Sequence, residues 1–263
     1  MLALIAGRGG LPAQVVAKLD TAPLICVLEG FEPDGLRVDI SFRLERLGSF
    51  LKTLRARGVT EVCFCGAIDR PSISPMKFDA ATLPLVPAMV RALGGGDDAA
   101  LRAVVGAFEE RGFKVRAAHE LAPGLLAPAG VLSRQEPDDK MRADADRGLA
   151  VLAALAPLDV GQGCVVGAGQ VWGIEARGGT DHMLATLPAR TVQSRALLIK
   201  VPKSGQDMRV DVPTVGPDTV DALVKAGLAG LVIAAGKVIL LETAETRARA
   251  DKAGLVIWSR DIS

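Results

Sequence analysis

Short apolar runs alternate with helically spaced apolar positions over the first part of the chain. Leu2–Ala6 reads as a buried strand, followed by the turn Gly7-Arg8-Gly9-Gly10 and a helix opening at Pro12, a residue suited to the first helical turn. Pro23–Leu28 reads as a second strand. Leu44, Leu47, Leu51 and Leu54 fall at three- and four-residue spacing and predict a helix closed by Gly58. Glu61–Gly66 is a third strand. A Pro-rich connector, Arg70–Pro75, leads to an apolar helix around Leu83–Leu93, broken by Gly94-Gly95-Gly96. Asp97 or Asp98 can cap the next helix, whose Leu101, Val104, Val105 and Phe108 share one face. Phe113–Ala117 is the fourth strand. Strand–helix alternation at this spacing predicts a parallel sheet covered on both faces, in a Rossmann-like arrangement.

The pattern then changes. Pro123, Pro128 and a charged run, Arg134–Arg147, separate the halves, with a helix expected from Asp138 to about Leu155. Gly163–Val166 and Gln170–Ile174 form a candidate hairpin around Gly167-Ala168-Gly169. Leu197–Val201, Leu231–Ala234 and Val238–Leu241 are further strands, and helices fit Thr219–Ala226 and Thr243–Ala253. The fold class expected is α/β: a Rossmann-like domain over residues 1–135 and a second, mixed α/β domain over 136–263.

Composition narrows the function. The 263 residues are 49% apolar with a formal net charge of +1. No basic excess or aromatic-plus-basic patch points to nucleic acid. Met1–Ala6 lacks the basic segment of a signal peptide, and no apolar stretch approaches the roughly 20 residues that span a bilayer; a cytoplasmic protein is expected. Cys26, Cys63, Cys65 and Cys164 lie in apolar strand-like runs and read as core residues. His119 and His182 stand in no zinc-ligand spacing and near no nucleophile motif, which argues against a triad hydrolase.

The densest chemistry lies between Lys200 and Asp218, K-V-P-K-S-G-Q-D-M-R-V-D-V-P-T-V-G-P-D. Asp207, Asp211 and Asp218 stand beside Lys200, Lys203 and Arg209. Carboxylates without His or Cys suit a hard cation such as Mg²⁺, and Lys and Arg suit phosphate oxygens. Phosphoanhydride hydrolysis needs both, although a solvated loop between strands would carry similar residues. If Gln206–Val212 is extended, Asp207, Arg209 and Asp211 share one face. Three other segments invite ligands. Gly7, Arg8, Gly9 and Gly10 form a turn before a helix, where backbone N–H groups and Arg8 could meet a phosphate, but Leu11-Pro12-Ala13 breaks the dinucleotide fingerprint. Asp97 and Asp98 could cap a helix or contact a sugar hydroxyl or a cation. In Glu175–Asp181, E-A-R-G-G-T-D, Thr180 can donate to a phosphate, and Glu175 or Asp181 can hold a metal.

The ordered set A-G-R-G-G-L-P (Ala6–Pro12), G-G-G-D-D (Gly94–Asp98), E-A-x-G-G-T-D (Glu175–Asp181) and K-x-P-K-x-G-Q-D-x-R-x-D-x-P-T-x-G-P-D (Lys200–Asp218) resembles the UDP-2,3-diacylglucosamine pyrophosphatases of the LpxI type, over nearly the whole chain. One departure is Gly178-Gly179, where the family pattern expects Glu-Gly. The resemblance implies Mg²⁺-dependent hydrolysis of UDP-2,3-diacylglucosamine to lipid X and UMP in lipid A biosynthesis, with substrate between two domains. Asp207 and Asp211 then become the candidates for metal and water, with Asp218 a third ligand. Lys200, Lys203 and Arg209 would neutralise the diphosphate, Gln206 would orient the nucleophile, and Thr180, Asp181 and Thr214 would join the substrate contacts. Two acyl chains ask for an apolar groove, for which Leu83–Leu93 is a candidate, and for peripheral contact with the inner membrane. A homodimer is compatible with the composition. A non-catalytic nucleotide-sugar or lipid binder and a nicotinamide-dependent oxidoreductase are the alternatives.

Overall fold

The computed structural model describes residues 1–68, 73–93, 97–203 and 205–262, apart from the side chains of residues 75, 91–93, 97–100, 190 and 193. The turn Gly94–Gly96, part of the Arg70–Pro75 connector, and the Asp97 and Asp98 side chains therefore lie outside the described residues. The chain forms two compact units: Met1–Pro123 together with Asp207–Asp211, and Gly124–Gln206 together with Val212–Ser263.

The N-terminal unit runs β1 (Leu2–Ala6), α1 (Leu11–Val16), β2 (Leu24–Leu28), β3 (Ile40–Phe42), α2 (Leu47–Ala56), β4 (Glu61–Cys65), α3 (Val86–Leu93), α4 (Asp97–Glu109), β5 (Lys114–Arg116) and α5 (Ala118–Leu121). The sheet has the order β3-β2-β1-β4-β5, every neighbouring pair parallel. Such strands are covered on both faces, which explains why β1, β2 and β4 read as unbroken apolar runs. In α2, Leu47, Phe50, Leu51 and Leu54 turn one buried face to the sheet. Phe50 stacks on Phe42 at 4.0 Å between centroids, and Phe108 of α4 meets Phe50, Phe64 and Phe113 edge-on. Phe108 is fully buried; its truncation to Ala would cost roughly 3–5 kcal/mol. Val210 packs against this same core from the Asp207–Asp211 segment.

The C-terminal unit adds β6 (Gly130–Val131), α6 (Asp139–Leu155), β7 (Gly163–Gly167), β8 (Gln170–Ile174), α7 (Gly179–Ala185), β9 (Leu197–Lys200), β10 (Thr214–Val215), α8 (Pro217–Lys225), β11 (Gly230–Ala234), β12 (Ile239–Leu240), α9 (Thr243–Ala253) and β13 (Val256–Arg260). Its main sheet has the order β6-β13-β11-β9-β7-β8, with β9, β11 and β13 parallel and β6 and β7 reversed; β10 and β12 make a small parallel pair. The expected mixed α/β fold is present. Asp138 caps α6, accepting the Met141 N–H at 2.9 Å. Buried Asp144 accepts from the Ala168 and Gly169 N–H groups at 3.0 and 2.7 Å, pinning the β7–β8 turn to α6. The four cysteines are free and buried, and burial pushes the Cys26 and Cys164 thiols up to about 12.

Candidate functional site

Parallel sheets bind ligands beyond the carboxyl ends of their strands, above all where the strand order reverses. In the N-terminal unit that point lies between β1 and β4, and Gly7–Gly10 sits there. The Gly7 N–H donates to Cys65 O at 2.8 Å, while Arg8 and Ala67 exchange two backbone bonds of 2.9 Å. This approach requires glycine on both sides. A Cβ on Gly7 would stand 2.6 Å from Ala67 O, and one on Gly66, at φ +94°, 2.5 Å from Gly7 O. The Arg8 guanidinium lies 5.1 Å from the Phe31 ring centroid. The Gly7 and Arg8 N–H groups, two of the donors that the sequence suggested for an anion, are thus engaged inside the loop.

In the C-terminal unit, three segments meet on the carboxyl edge of β9: residues 159–163 before β7, 174–181 after β8, and 200–206 after β9. The Val201 N–H donates to Gln162 O at 3.0 Å, and Glu175 N–H to Gly163 O at 2.8 Å. Lys203 Nζ pairs with Asp159 Oδ1 at 2.5 Å. The Gln206 amide is engaged at both ends: its oxygen accepts the Lys203 N–H at 2.8 Å and its nitrogen donates to Gln162 Oε1 at 3.3 Å. Lys200 Nζ donates to Thr180 Oγ1 at 3.0 Å, and the Thr180 hydroxyl donates to Glu175 Oε2 at 3.0 Å. Glu175 is buried, at 8% exposure. Thr180 and Lys200, distant in sequence, are thus brought together. Asp181 and His182 stay exposed on α7, Asp218 is exposed in the first turn of α8, and Thr214 begins β10 with its hydroxyl on Val212 O at 3.1 Å.

Asp207, Arg209 and Asp211 belong to the N-terminal unit, whereas Lys200, Lys203, Gln206, Thr214 and Asp218 belong to the other. The extended Gln206–Val212 expectation is corrected. Residues 208–210 form a turn, in which Asp207 O accepts from the Val210 and Asp211 N–H groups at 3.1 and 3.0 Å. The cause is an Asx turn: Asp207 Oδ1 accepts the Arg209 N–H at 3.0 Å, offering the backbone an alternative to a strand. The Arg209 guanidinium then grips both Asp207 oxygens, at 2.9 and 2.7 Å, and reaches Glu109 at 2.6 Å. This guanidinium holds the Asp207 carboxyl below the usual range, and Asp207 and Glu109 raise the Arg209 value.

Among the described residues no three His, Cys, Asp or Glu side chains form a group suited to a metal. Mg²⁺, however, commonly takes one or two carboxylates plus substrate phosphates. Carboxylate oxygens are of the hard type Mg²⁺ takes, but both Asp207 oxygens are engaged by Arg209, so a metal there would have to share or displace that guanidinium. Sequence reasoning overlooked Asp159, Gln162 and Glu109, which lie in no motif and acquire their partners only through folding.

Fold and edge define a two-unit α/β protein, with a Rossmann-like half and a mixed-sheet half that carries lysines at a strand-end edge. Comparison with known proteins places it further. The family description "LpxI N-terminal domain" matches residues 1–125, and "LpxI C-terminal domain" matches 128–258. The UDP-2,3-diacylglucosamine pyrophosphatase LpxI of Caulobacter vibrioides is 36% identical over 274 residues, spanning 99% of this chain and 97% of that protein. The chain belongs to the LpxI family.

Proposed function

We propose that this chain hydrolyses the pyrophosphate bond of UDP-2,3-diacylglucosamine, releasing UMP and 2,3-diacylglucosamine 1-phosphate for lipid A synthesis. Full-length similarity to a relative named for that substrate supports the reading. The structural observation that carries it is Lys200, set at the end of β9 and held by Thr180. A diphosphate cleaved by water develops negative charge on its bridging and terminal oxygens, and fixed cations and hydroxyl donors stabilise that charge. Lys200 and Lys203 neutralise phosphate oxygens, and Thr180 keeps the Lys200 ammonium in place. Asp207 and Asp211 would hold Mg²⁺, which supplies further charge neutralisation and acidifies water. Gln206, fixed at both ends of its amide, sets the course of the 200–206 loop.

The substrate's acyl chains need apolar contact. Leu83, in the 3₁₀ turn that precedes α3, and Val90 of α3 are both exposed and offer it on the N-terminal unit. Among the described residues no helix is long and apolar enough to cross a membrane, so the proposal is peripheral contact with the bilayer that holds the substrate. The test is UMP release from UDP-2,3-diacylglucosamine with Mg²⁺ or with EDTA, for wild type and Asp207→Ala. The expected result is metal-dependent release that the variant loses. A folded wild type that releases no UMP under either condition would refute hydrolysis and favour a binder.

A further inference from the structure

The Lys200–Thr180 contact is one end of a longer construction across the sheet. In β7–β9 pairing, Gly163 stands directly opposite Lys200. On the other side of β7, Cys164 pairs with Ile174, and the Glu175 N–H continues that ladder onto Gly163 O. Glu175, Gly163 and Lys200 therefore form one row across three strands, and residues in such a row point to the same face of a sheet. The outer two backbones stand roughly 10 Å apart, two strand spacings. Any side chain at the middle position would separate them. Gly163 has none, and the Glu175 carboxylate occupies the space: a Cβ built on Gly163 would lie 2.6 Å from Glu175 Oε2, with the next nearest atom at 3.6 Å. Thr180, from α7, bridges the remaining gap, accepting from Lys200 and donating to Glu175.

The arrangement is costly unless it has a use. A buried carboxylate gives up much of its hydration, and an apolar residue at this edge would avoid that loss. A lysine ammonium sits on a long, flexible stem and takes many directions unless one of its donors is fixed. A hydroxyl that donates to a carboxylate becomes a stronger acceptor, because hydrogen bonds in a chain polarise one another. We infer that Glu175 is a positioning residue: acting through Thr180, and in the room left by Gly163, it fixes the direction in which Lys200 meets a phosphate oxygen. This rests on the proposed hydrolysis for its main readout. The four-residue unit has a compact signature: a glycine opposite the lysine, an acid opposite the glycine, and a threonine five residues beyond the acid.

The experiment is a double-mutant cycle on the full chain, pairing Glu175→Gln with Lys200→Ala, read both as UMP release and as calorimetric UDP affinity. Glu175→Gln keeps the shape and an acceptor for Thr180 but removes the charge. It is expected to lower kcat by on the order of tenfold to a hundredfold, the range for a slightly misplaced reactive group, with KM and Tm unchanged. In the Lys200→Ala background the same change is expected to add no further loss in either readout. Thr180→Ser should retain activity, Thr180→Val should reproduce the Glu175→Gln defect, and Gly163→Ala should do so without altering any charge. Losses that multiply in the double variant, or a Glu175→Gln protein with lower Tm and wild-type kcat, would overturn the inference. A wild type that releases no UMP refutes the hydrolysis alone. The cycle on UDP affinity then decides the positioning role, and failure of every protein to bind UDP overturns both.

Discussion

The carboxyl edges of the two sheets are built in opposite ways. At the N-terminal edge, backbone meets backbone: Gly7 and Gly66 approach so closely that neither has room for a Cβ, and Arg8 and Ala67 exchange main-chain bonds. At the C-terminal edge, side chains carry the order: Lys200, Thr180 and Glu175 in one chain of bonds, and Lys203, Asp159, Gln206 and Gln162 in another. A backbone junction fixes shape and leaves charge to be added by a ligand. A side-chain network fixes charge, and shape follows from it. The N-terminal edge should therefore respond to sterics alone, and the C-terminal edge to any change, of charge or of space, that disturbs the placement of its charged groups.

The largest effect is expected from charge at the C-terminal edge. Lys200→Ala should cut UMP release by at least about a hundredfold, the scale for losing a preorganised charge-stabilising donor, with a melting curve like that of wild type. A variant with near-normal turnover would show that the network is structural. Next comes sterics at the N-terminal edge. Gly66→Ala sets a Cβ against the Gly7 backbone at a positive φ, and should destabilise the protein by about 3 kcal/mol in urea unfolding. A loss below about 1 kcal/mol would mean that the junction yields easily.

Two smaller effects sharpen the contrast. The Asp207 carboxyl is depressed by Arg209, so its folded-state value lies below the unfolded value of ~3.9. It contributes stability that is fully present above that unfolded value and disappears as pH falls through the depressed one. Arg209→Gln should therefore lower stability at neutral pH, and the difference from wild type should vanish in acid, well below about pH 4. The Arg209 side chain is 40% exposed, so screening should hold the effect to within about 1 kcal/mol. A difference that persists unchanged into strong acid would point to packing instead. Smallest is the Lys203–Asp159 pair, whose acid is half exposed. Asp159→Asn should change stability by a few tenths of a kcal/mol, and by less still in 1 M salt.

Much of the scaffold was legible because its elements are local patterns. The apolar runs of β1, β2, β4, β9 and β11, the leucine stripe of α2, and the helix from about Asp138 to Leu155 all stand where their residues predict. What escaped is instructive. β3, Ile40-Ser41-Phe42, is too short to make a pattern and becomes a strand only by pairing with β2. β13, Val256–Arg260, is apolar enough to notice, but its place between β11 and β6 follows from the sheet order. α7 begins inside the Glu175–Asp181 motif, where the glycines read as a turn. Lys200 and Thr180 were legible as residues suited to phosphate. Their contact, and the part of Glu175 in it, depend on register across β8, β7 and β9, which composition does not encode. Asp207 and Asp211 were legible as carboxylates, but the condition for a shared face, an extended backbone, fails because the Asp207 side chain competes for a backbone N–H group.

The five residues Asp207–Asp211 have a consequence for how the molecule is made. They complete a unit whose other residues end at Pro123, and Val210 closes part of its core. On a ribosome the N-terminal unit emerges with that patch uncovered, and the segment that covers it follows only after residues 124–206. A gene cut after Pro123 would yield a fragment lacking this plug.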